Sequence, residues 1–408
     1  MKQEQPMASV VIVGAGPAGT TLAYLLAQRG IEVTLVEAAA NFERVFRGEG
    51  LMPGGLYALE QMGLFDLLDQ IPCRQLHAWE FVVDDRTVLH VNEPADLGRY
   101  RPTIIPQPAF LSAVVERAQA FPSFRFVHGT VQALTQKADR VQGVVVRQAD
   151  QEIELEATLV IGADGRGSTV RRLANLPLQK LDYDADVLWL RLPVPLPDES
   201  QRSVFYGFIC GSESLGAYTS WDDSLKFAYL VPRGQSLDSK PIDWPTRLAE
   251  IAPDWIADHI RTYAEALEAP IPLKVVFGRC PQWFQPGVLL IGDAAHPMAP
   301  IRAQGINLAL RDVIVTANHL IPLLQTSASP EQFDQAMQRI QAERQPEIVR
   351  CQNLQSSEQQ LATRLCQSSI LRGLLTQLSP LVRPVIERRW LARQKHLRFG
   401  LQPIALVV

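Results

Sequence analysis

The chain has 408 residues, 47% of them hydrophobic, enough for a large core and for two domains. Lysine and arginine number 39 against 43 aspartate and glutamate, a net charge of −4, so no global basic excess points to nucleic acid. Cys73, Cys210, Cys280, Cys351 and Cys366 are scattered without a C-x-x-C pair, which speaks against a metal site or a disulfide framework and suits a reducing compartment. Apolar runs are broken by Gly, Pro or charge before the roughly twenty residues a membrane span needs. The first strand starts near Ala8, leaving no room for a signal peptide. A soluble cytoplasmic protein is expected.

In chain order, the first informative stretch is a strand ending at Val13, then Gly14, Gly16 and Gly19, then a helix from Ala18 to Arg29. A second strand, Glu32 to Val36, closes on Glu37. This is a dinucleotide-binding pattern in its full βαβ setting. Gly14 permits the tight turn, Gly16 lets the backbone approach a pyrophosphate at the helix start, and Gly19 allows close helix–strand packing. A carboxylate closing the second strand accepts hydrogen bonds from ribose hydroxyls and repels a 2′-phosphate. The pattern predicts FAD or NAD.

A Gly- and Arg-rich segment, Arg44 to Gly55, precedes an amphipathic helix from Leu56 to Ile71. Alternation from Leu76 to Val91 predicts strands, and a helix from Ala109 to Ala120 follows Gln107. Runs from Arg125 to Leu134, Val141 to Arg147 and Ile153 to Ile161 predict an antiparallel meander, given their short connections. The aromatic, alternating stretch Val187 to Pro232 predicts a second sheet, and Pro241 to Ala269 a helical segment. After a strand at Val288–Ile291 the chain reads as helical almost to its end.

Two later motifs choose between the cofactors. Gly162-Ala163-Asp164-Gly165 ends a strand; Gly292-Asp293-Ala294-Ala295-His296-Pro297 ends another and is followed by Pro300, Gly305, Ile306 and Asn307. A carboxylate at a strand tip suits a sugar-alcohol hydroxyl. Free N–H groups at a helix start suit the carbonyl edge of an isoalloxazine and the negative charge of reduced flavin. Both needs belong to FAD rather than nicotinamide.

With these motifs in this order, the chain resembles the class A flavoprotein monooxygenases related to para-hydroxybenzoate hydroxylase, over about residues 8 to 345. The resemblance implies an α/β fold: a discontinuous Rossmann-like FAD-binding domain (1–75, 102–180 and 274–345) with a parallel sheet and an antiparallel meander. It also implies an inserted mixed-sheet substrate domain (76–101 and 181–273) and a C-terminal helical segment (346–408). Gly14, Gly16, Ala18, Gly19 and Glu37 look like the ADP site, Arg47 and Gln107 like flavin contacts, and Asp164 and Gly165 like the family's Asp-Gly motif. Asp293 resembles the ribityl-binding aspartate, Pro300 the proline beside the flavin ring, and Gly305, Ile306 and Asn307 the contacts to its pyrimidine edge.

The implied reaction uses NAD(P)H and O2 to hydroxylate or epoxidise a hydrophobic aromatic or polyprenoid-type molecule through a flavin C4a-hydroperoxide. Arg47-Gly48-Glu49 … Pro53-Gly54-Gly55 is similar to squalene epoxidases, although the glycines also suit a simple turn. A flavoprotein reductase of the geranylgeranyl reductase type, passing hydride to an alkene, is the alternative. A halogenase is excluded by the missing W-x-W-x-I-P signature.

One departure stands out. Where many members have small residues, often glycine, after the loop proline, this chain has Arg302 and Ala303. Arg302 either recognises an acidic or carbonyl group of the substrate or, as the favoured reading, pairs with a backbone carbonyl or an acid such as Asp312. His296 is expected to fix its loop, and Tyr206, Tyr218 and Tyr229 to pack a sheet face. From Ile370 to Arg398, leucines at helical spacing and a run of arginines allow peripheral membrane contact, with Pro380 and Pro384 expected to break the helix.

Overall fold

Val10–Val13 and Leu159–Ile161 are apolar and buried at every position, the pattern of a parallel strand covered on both faces. In the computed structural model, which describes residues 9–42, 48–149, 151–233, 242–326 and 328–408, they form the centre of a six-stranded sheet. Its order is Phe284–Gln285, Val288–Leu290, Leu159–Gly162, Ser9–Val13, Glu32–Glu37, Phe124–His128. Every pair is parallel except that of the edge strand Phe284–Gln285. Arg47 lies outside the described residues, as do the expected boundaries Arg44 and Pro241.

The longer helices are, in chain order, α1 (Pro17–Gln28), α2 (Pro53–Gln61), α3 (Gln107–Gln119), α4 (Thr169–Leu173), α5 (Trp244–Ile251), α6 (Asp254–Thr262), α7 (Gln304–Leu324), α8 (Pro330–Gln367) and α9 (Ser369–Phe399). Leu22 and Leu25 of α1, Phe110 and Val114 of α3, Leu310 and Val313 of α7, and Met337 and Ile340 of α8 bury themselves in the core of the parallel sheet.

Two expected strands divide. The run from Arg125 to Leu134 breaks at Gly129, whose N–H bonds the Glu37 carbonyl at 2.8 Å. Phe124–His128 thus joins the parallel sheet, and only Thr130–Lys137 enters the antiparallel meander with Arg140–Gln148 and Gln151–Glu156. Likewise Ile153 to Ile161 breaks after Glu156, and its second half becomes a central parallel strand. The helix expected to reach Ile71 stops at Gln61, because Gly63 takes φ +69°; a 3₁₀ turn, Phe65–Asp69, follows. The helical stretch after residue 241 is split by Pro253, which holds Ala252 extended between α5 and α6.

The second sheet has seven strands in the order Ile271–Leu273, Ala185–Leu192, Leu225–Pro232, Glu213–Thr219, Val204–Cys210, Ala78–Val83, Arg86–Asn92. Its period-two alternation separates two faces. Tyr206, Phe208, Leu215, Ala217, Leu190 and Phe227 pack under α5 and α6. Trp79, Phe205, Tyr218 and Trp189 point the other way, toward Met52, Ile104 and Ala303 of the cofactor-side segments.

α9 runs unbroken through Pro380 and Pro384, against expectation. The carbonyl of Thr376, which Pro380 leaves without a backbone donor, accepts the Ser379 hydroxyl at 3.3 Å. The helix is also held along one side: Leu375, Ile386, Trp390 and Leu391 pack on Val83, Val88, Leu89 and Val91. Three of its arginines turn inward, Arg372 to Asp84 at 2.8 Å, Arg383 to the Thr87 carbonyl at 3.0 Å and Arg398 to Glu93.

Buried charges join α7 to α8. Arg344 donates to Asp312 at 2.7 Å and pairs with Glu347, which also receives Arg311 at 2.9 Å. Burial pushes the Asp312 carboxyl up, but His296 and Arg344 outweigh it and hold it down at about 2. Arg344→Leu takes the shared cation from two buried carboxylates, leaving Asp312 with His296 and Glu347 with Arg311, so a loss of about 3 kcal/mol is expected in denaturant unfolding. In acid, the contribution of Asp312 is complete above its ordinary value of 3.8 and disappears as pH falls through about 2. A variant as stable as the parent at neutral pH would show that the network is dispensable.

Candidate cofactor and substrate site

The first site element is the turn after Ser9–Val13. Gly14 sits at φ +101°, donates its N–H to the Val36 carbonyl at 2.7 Å, and lies so close to the next strand that a Cβ would come within 2.6 Å of the Ala163 oxygen. A Cβ on Gly19 would overlap the Gly14 carbonyl, so α1 can approach only as glycine. Gly16, by contrast, opens outward: a Cβ there would meet nothing nearer than 4.0 Å. No side chain caps α1, whose N-cap is Gly16 and whose first turn begins with Pro17. Glu37 is buried, and its two carboxylate oxygens accept the N–H of Ala15 at 2.7 Å and of Ala39 at 2.8 Å.

Asp164 and Gly165 occupy the tip of the adjacent strand. Asp164 accepts the Ser168 hydroxyl at 2.5 Å and the N–H groups of Thr169 and Val170 at 2.6 and 3.0 Å, so its carboxylate organises the start of α4. Gly165 has φ +78°. Arg171 then reaches the Ala294 carbonyl at 2.7 Å and ties this tip to the third one.

That third tip carries Asp293. Its turn is fixed by Asp312, which accepts the Gly292 N–H at 2.9 Å and bonds His296 Nε2 at 2.7 Å. Asp293 lies beside the start of α7, with its Oδ1 3.6 Å from where a Gly305 Cβ would stand. A Cβ on Gly292 would be 3.5 Å from the Ala18 Cβ of α1 and 3.4 Å from the Ala309 Cβ of α7, so this turn lies against the N-terminal parts of both helices. α7 also lacks a side-chain cap; its N-cap is Ala303, in the left-handed region at φ +50°.

The remaining expected contacts have structural partners. Asn307 donates to the carbonyls of Gly50 at 3.0 Å and Ala303 at 2.6 Å and accepts the Met52 N–H at 2.8 Å, so its whole amide locks the short strand Gly50–Leu51 to α7. Gln107 donates to the Gly48 carbonyl at 2.8 Å. Ile306 is buried, and Pro300 leads into the 3₁₀ turn Ile301–Ala303.

Arg302 takes φ +61° and pairs through Nε with Glu358 at 3.0 Å, not with Asp312, which His296 and Arg344 occupy. Its guanidinium lies 4.9 Å from the ring centres of Trp79 and Trp390 and 5.1 Å from that of Phe81. Tyr206 and Tyr229 belong to the helix-covered face of the sheet, and only Tyr218 looks toward the cofactor-side segments.

The motif residues thus stand at the carboxyl ends of four neighbouring parallel strands, where open α/β sheets bind ligands. Two helix starts without side-chain caps, an outward-opening glycine and acids at three strand tips make a donor and acceptor set that fits FAD. Asp312 is legible in the sequence only as a partner for Arg302, and its pairing with Arg344 escapes sequence reasoning because no spacing rule marks a charge pair 32 residues apart; Arg171, which ties two tips together, escapes it as well. Among the described residues no cluster of metal-ligating side chains occurs, and no helix is long and apolar enough to cross a membrane.

A site of this construction defines an FAD-dependent oxidoreductase. The family described as "FAD binding domain" matches residues 7–348. The chain is 32% identical over 388 residues to 6-methylpretetramide 4-monooxygenase of Streptomyces rimosus, covering 93% of this chain and 91% of that one. It is 27% identical over 334 residues to squalene monooxygenase SE1 of Panax ginseng, covering 77% and 58%. Among solved structures, p-nitrophenol 4-monooxygenase PnpA of Pseudomonas putida has the same fold, with a TM-score of 0.80 at 17% identity over 98% of this chain and all of that one. The chain belongs to the FAD-binding monooxygenase family, and it is an FAD-dependent monooxygenase of small organic molecules.

Gly14→Ala places a Cβ against the Ala163 carbonyl at a φ that costs an L-residue about 1–3 kcal/mol. The purified variant is expected to carry less than a tenth of the parent's flavin absorbance per protein. Full retention of flavin would overturn the assignment of this turn.

Proposed function

We propose that the chain uses NAD(P)H and O2 to hydroxylate or epoxidise a hydrophobic aromatic or polyprenoid-type molecule held between the Pro300–Ala303 turn and the aromatic face of the seven-stranded sheet. The observation that carries this reading is the meeting of Trp79, Phe205, Tyr218 and Trp189 with Met52, Ile104 and Ala303 in one cluster beside the start of α7. Bound FAD would supply the activation of O2 and its transfer to the substrate.

The residues of the chain then have separable tasks. The start of α1 faces the pyrophosphate, Glu37 the adenosine ribose and Asp293 the ribityl chain; the backbone of Gly305, Ile306 and Asn307 presents the positive end of α7 to the pyrimidine edge. Asp164 and Gly165 shape the floor between them, and Gln107 steadies Gly48. Pro300 borders the ring. Arg302, compensated by Glu358 and enclosed by three aromatic rings, positions that border rather than reading the substrate. The bodies that carry these tasks correspond to residues 1–75, 102–180 and 274–345 for the cofactor, 76–101 and 181–273 for the substrate, and the helical segment 346–408 across both.

Oxygen consumption on adding NAD(P)H and a substrate panel of phenolic acids, quinone precursors and polyprenoids tests the reading. Labelled O2 is expected to place one atom in the product. Reduction of an alkene without label would make the enzyme a reductase.

α9 supports a second proposal, peripheral contact with an anionic membrane. Ile370, Leu374, Leu378, Leu381 and Val385 form an exposed stripe, with Ile370 76% and Leu381 80% accessible. Arg388, Arg389, Arg393 and Lys395 are exposed farther along the same helix. Apolar residues flanked by cations suit an interfacial helix. Sedimentation with phosphatidylserine vesicles, but not phosphatidylcholine vesicles, is expected, and Leu381→Glu should reduce it severalfold. Equal recovery in the supernatant with both lipids would dismiss the contact.

A further inference from the structure

α8 meets the loop around Pro300 with three polar side chains spaced i, i+3 and i+6 along one side of the helix. Gln352 donates to the Gly278 carbonyl at 2.6 Å, and the Gly278 N–H reaches the Pro297 carbonyl at 3.2 Å. Gln355 donates from its one amide nitrogen to two carbonyls, that of Ala299 at 2.8 Å and that of Ile301 at 2.6 Å, one on each side of Pro300. Glu358 takes the Arg302 guanidinium. Gln352 and Gln355 are wholly buried.

Both partners of Gln355 are carbonyls, so its nitrogen must face the turn, and among the described residues its buried oxygen meets no donor. An unpaired buried acceptor is destabilising, and an apolar side chain of the same size would fill the space without it. What glutamine adds is the pair of donors, and these act on the direction of the backbone. In a planar trans peptide the N–H points opposite to the carbonyl. With the Ile301 carbonyl drawn to α8, the Arg302 N–H points away from that helix. Arg302 and Ala303 then follow at φ +61° and +50° and lead into the uncapped start of α7. Neither residue favours this region, so the path from Ile301 to Gly305 persists only while it is held from outside.

We propose that Gln355 is a positioning residue of the cofactor edge: by pinning the carbonyls on both sides of Pro300, it holds the start of α7 where its N–H groups stabilise reduced flavin. The consequence is a raised reduction potential of the bound flavin, because the positive end of a helix favours the negative charge that reduction brings. This rests on the reading of the α7 start as the face that meets the pyrimidine edge. Gln355 stands behind the turn and acts through it, as a group that fixes donors rather than supplying one to the cofactor.

The test measures the two-electron reduction potential of the flavin-loaded protein against a reference dye, without substrate or O2, beside flavin content and the denaturant midpoint. Gln355→Met keeps the volume and loses both donors. Its reduced flavin is expected to bind about tenfold more weakly relative to oxidised flavin, a fall of about 30 mV. Gln355→Glu, whose protonated carboxyl supplies one donor, should recover part of that fall. Gln341→Met is the control, since Gln341 lies on the same helix and bonds the Trp283 N–H at 2.9 Å and the Pro281 carbonyl at 2.7 Å. It should lower the midpoint and leave the potential unchanged. Should Gln355→Met not fold, Gln355→Glu against the parent carries the comparison, with a severalfold weakening expected. An unchanged potential in flavin-loaded Gln355→Met, no recovery in Gln355→Glu, or an equal fall in Gln341→Met would overturn the positioning role. Gly305→Ala places a Cβ at the start of α7, 3.6 Å from Asp293 Oδ1, and separates the two readings. A change of flavin content or potential there, with none in Gln355→Met, leaves the cofactor edge standing and removes only Gln355; no change in either removes the reading of that edge first.

Discussion

The carboxylate of Asp312 is the fixed point of the cofactor side. It sits inside α7 with no exposure, and a lone charge there would be expelled by its desolvation cost. It is retained because one oxygen takes the Gly292 N–H and His296 while the other takes Arg344. The same group therefore aligns the turn that carries Asp293, the helix whose start lies beside it, and α8. Arg171 extends this frame to the Asp164 tip through the Ala294 carbonyl. The parallel register of the four strands brings the tips together, and the charge network sets their relative orientation.

The substrate side is joined to this frame at several places rather than by one hinge. Asn307 holds the Gly50–Leu51 strand to α7 through every hydrogen-bonding group of its amide. Glu49 carries that strand's position across to the sheet. Arg302 reaches the rings of Trp79, Phe81 and Trp390 and the carboxylate of Glu358, so a single side chain touches the sheet, α8 and α9 together. The outcome is that the Pro300–Ala303 turn and the aromatic cluster beside it are specified by groups far apart in the chain, and α9 takes part through Trp390 on its inner side.

The parts legible in the sequence are those governed by local periodicity and by backbone geometry. Gly14 and Gly19 are required by contacts within one turn and one helix, and the continuous apolar strands announce their own burial. The divided strands were not legible, because hydrophobic alternation continues across Gly129 and past Glu156 while hydrogen bonding changes partners. α9 was misjudged for a similar reason. Proline removes one backbone donor, but Ser379 meets the exposed carbonyl, and packing on Arg86–Asn92 outweighs the local propensity. Arg302's partner was the hardest to anticipate, since Glu358 lies 56 residues away on another helix.

Arg302 and Ala303 show how these scales meet. Two consecutive non-glycine residues in the left-handed region are unfavourable by about 1 kcal/mol or more each, and an isolated loop of this sequence would relax. Here the side chain of the first is immobilised by three rings and a carboxylate, while the Cβ of the second fills the space in front of Gly50. Gln304 adds a bond back to the Arg302 carbonyl at 2.8 Å and another to that of Leu397 in α9 at 2.9 Å. Glycine at these positions would adopt the conformation without strain, but it would let it go as readily. The chain has instead placed residues that dislike the turn and bound them to the sheet and the C-terminal helices, so the start of α7 is fixed by tertiary contacts and not by local preference. A loop held in this way ties the start of α7 to Trp390 of α9 and to Glu358 of α8 through one side chain.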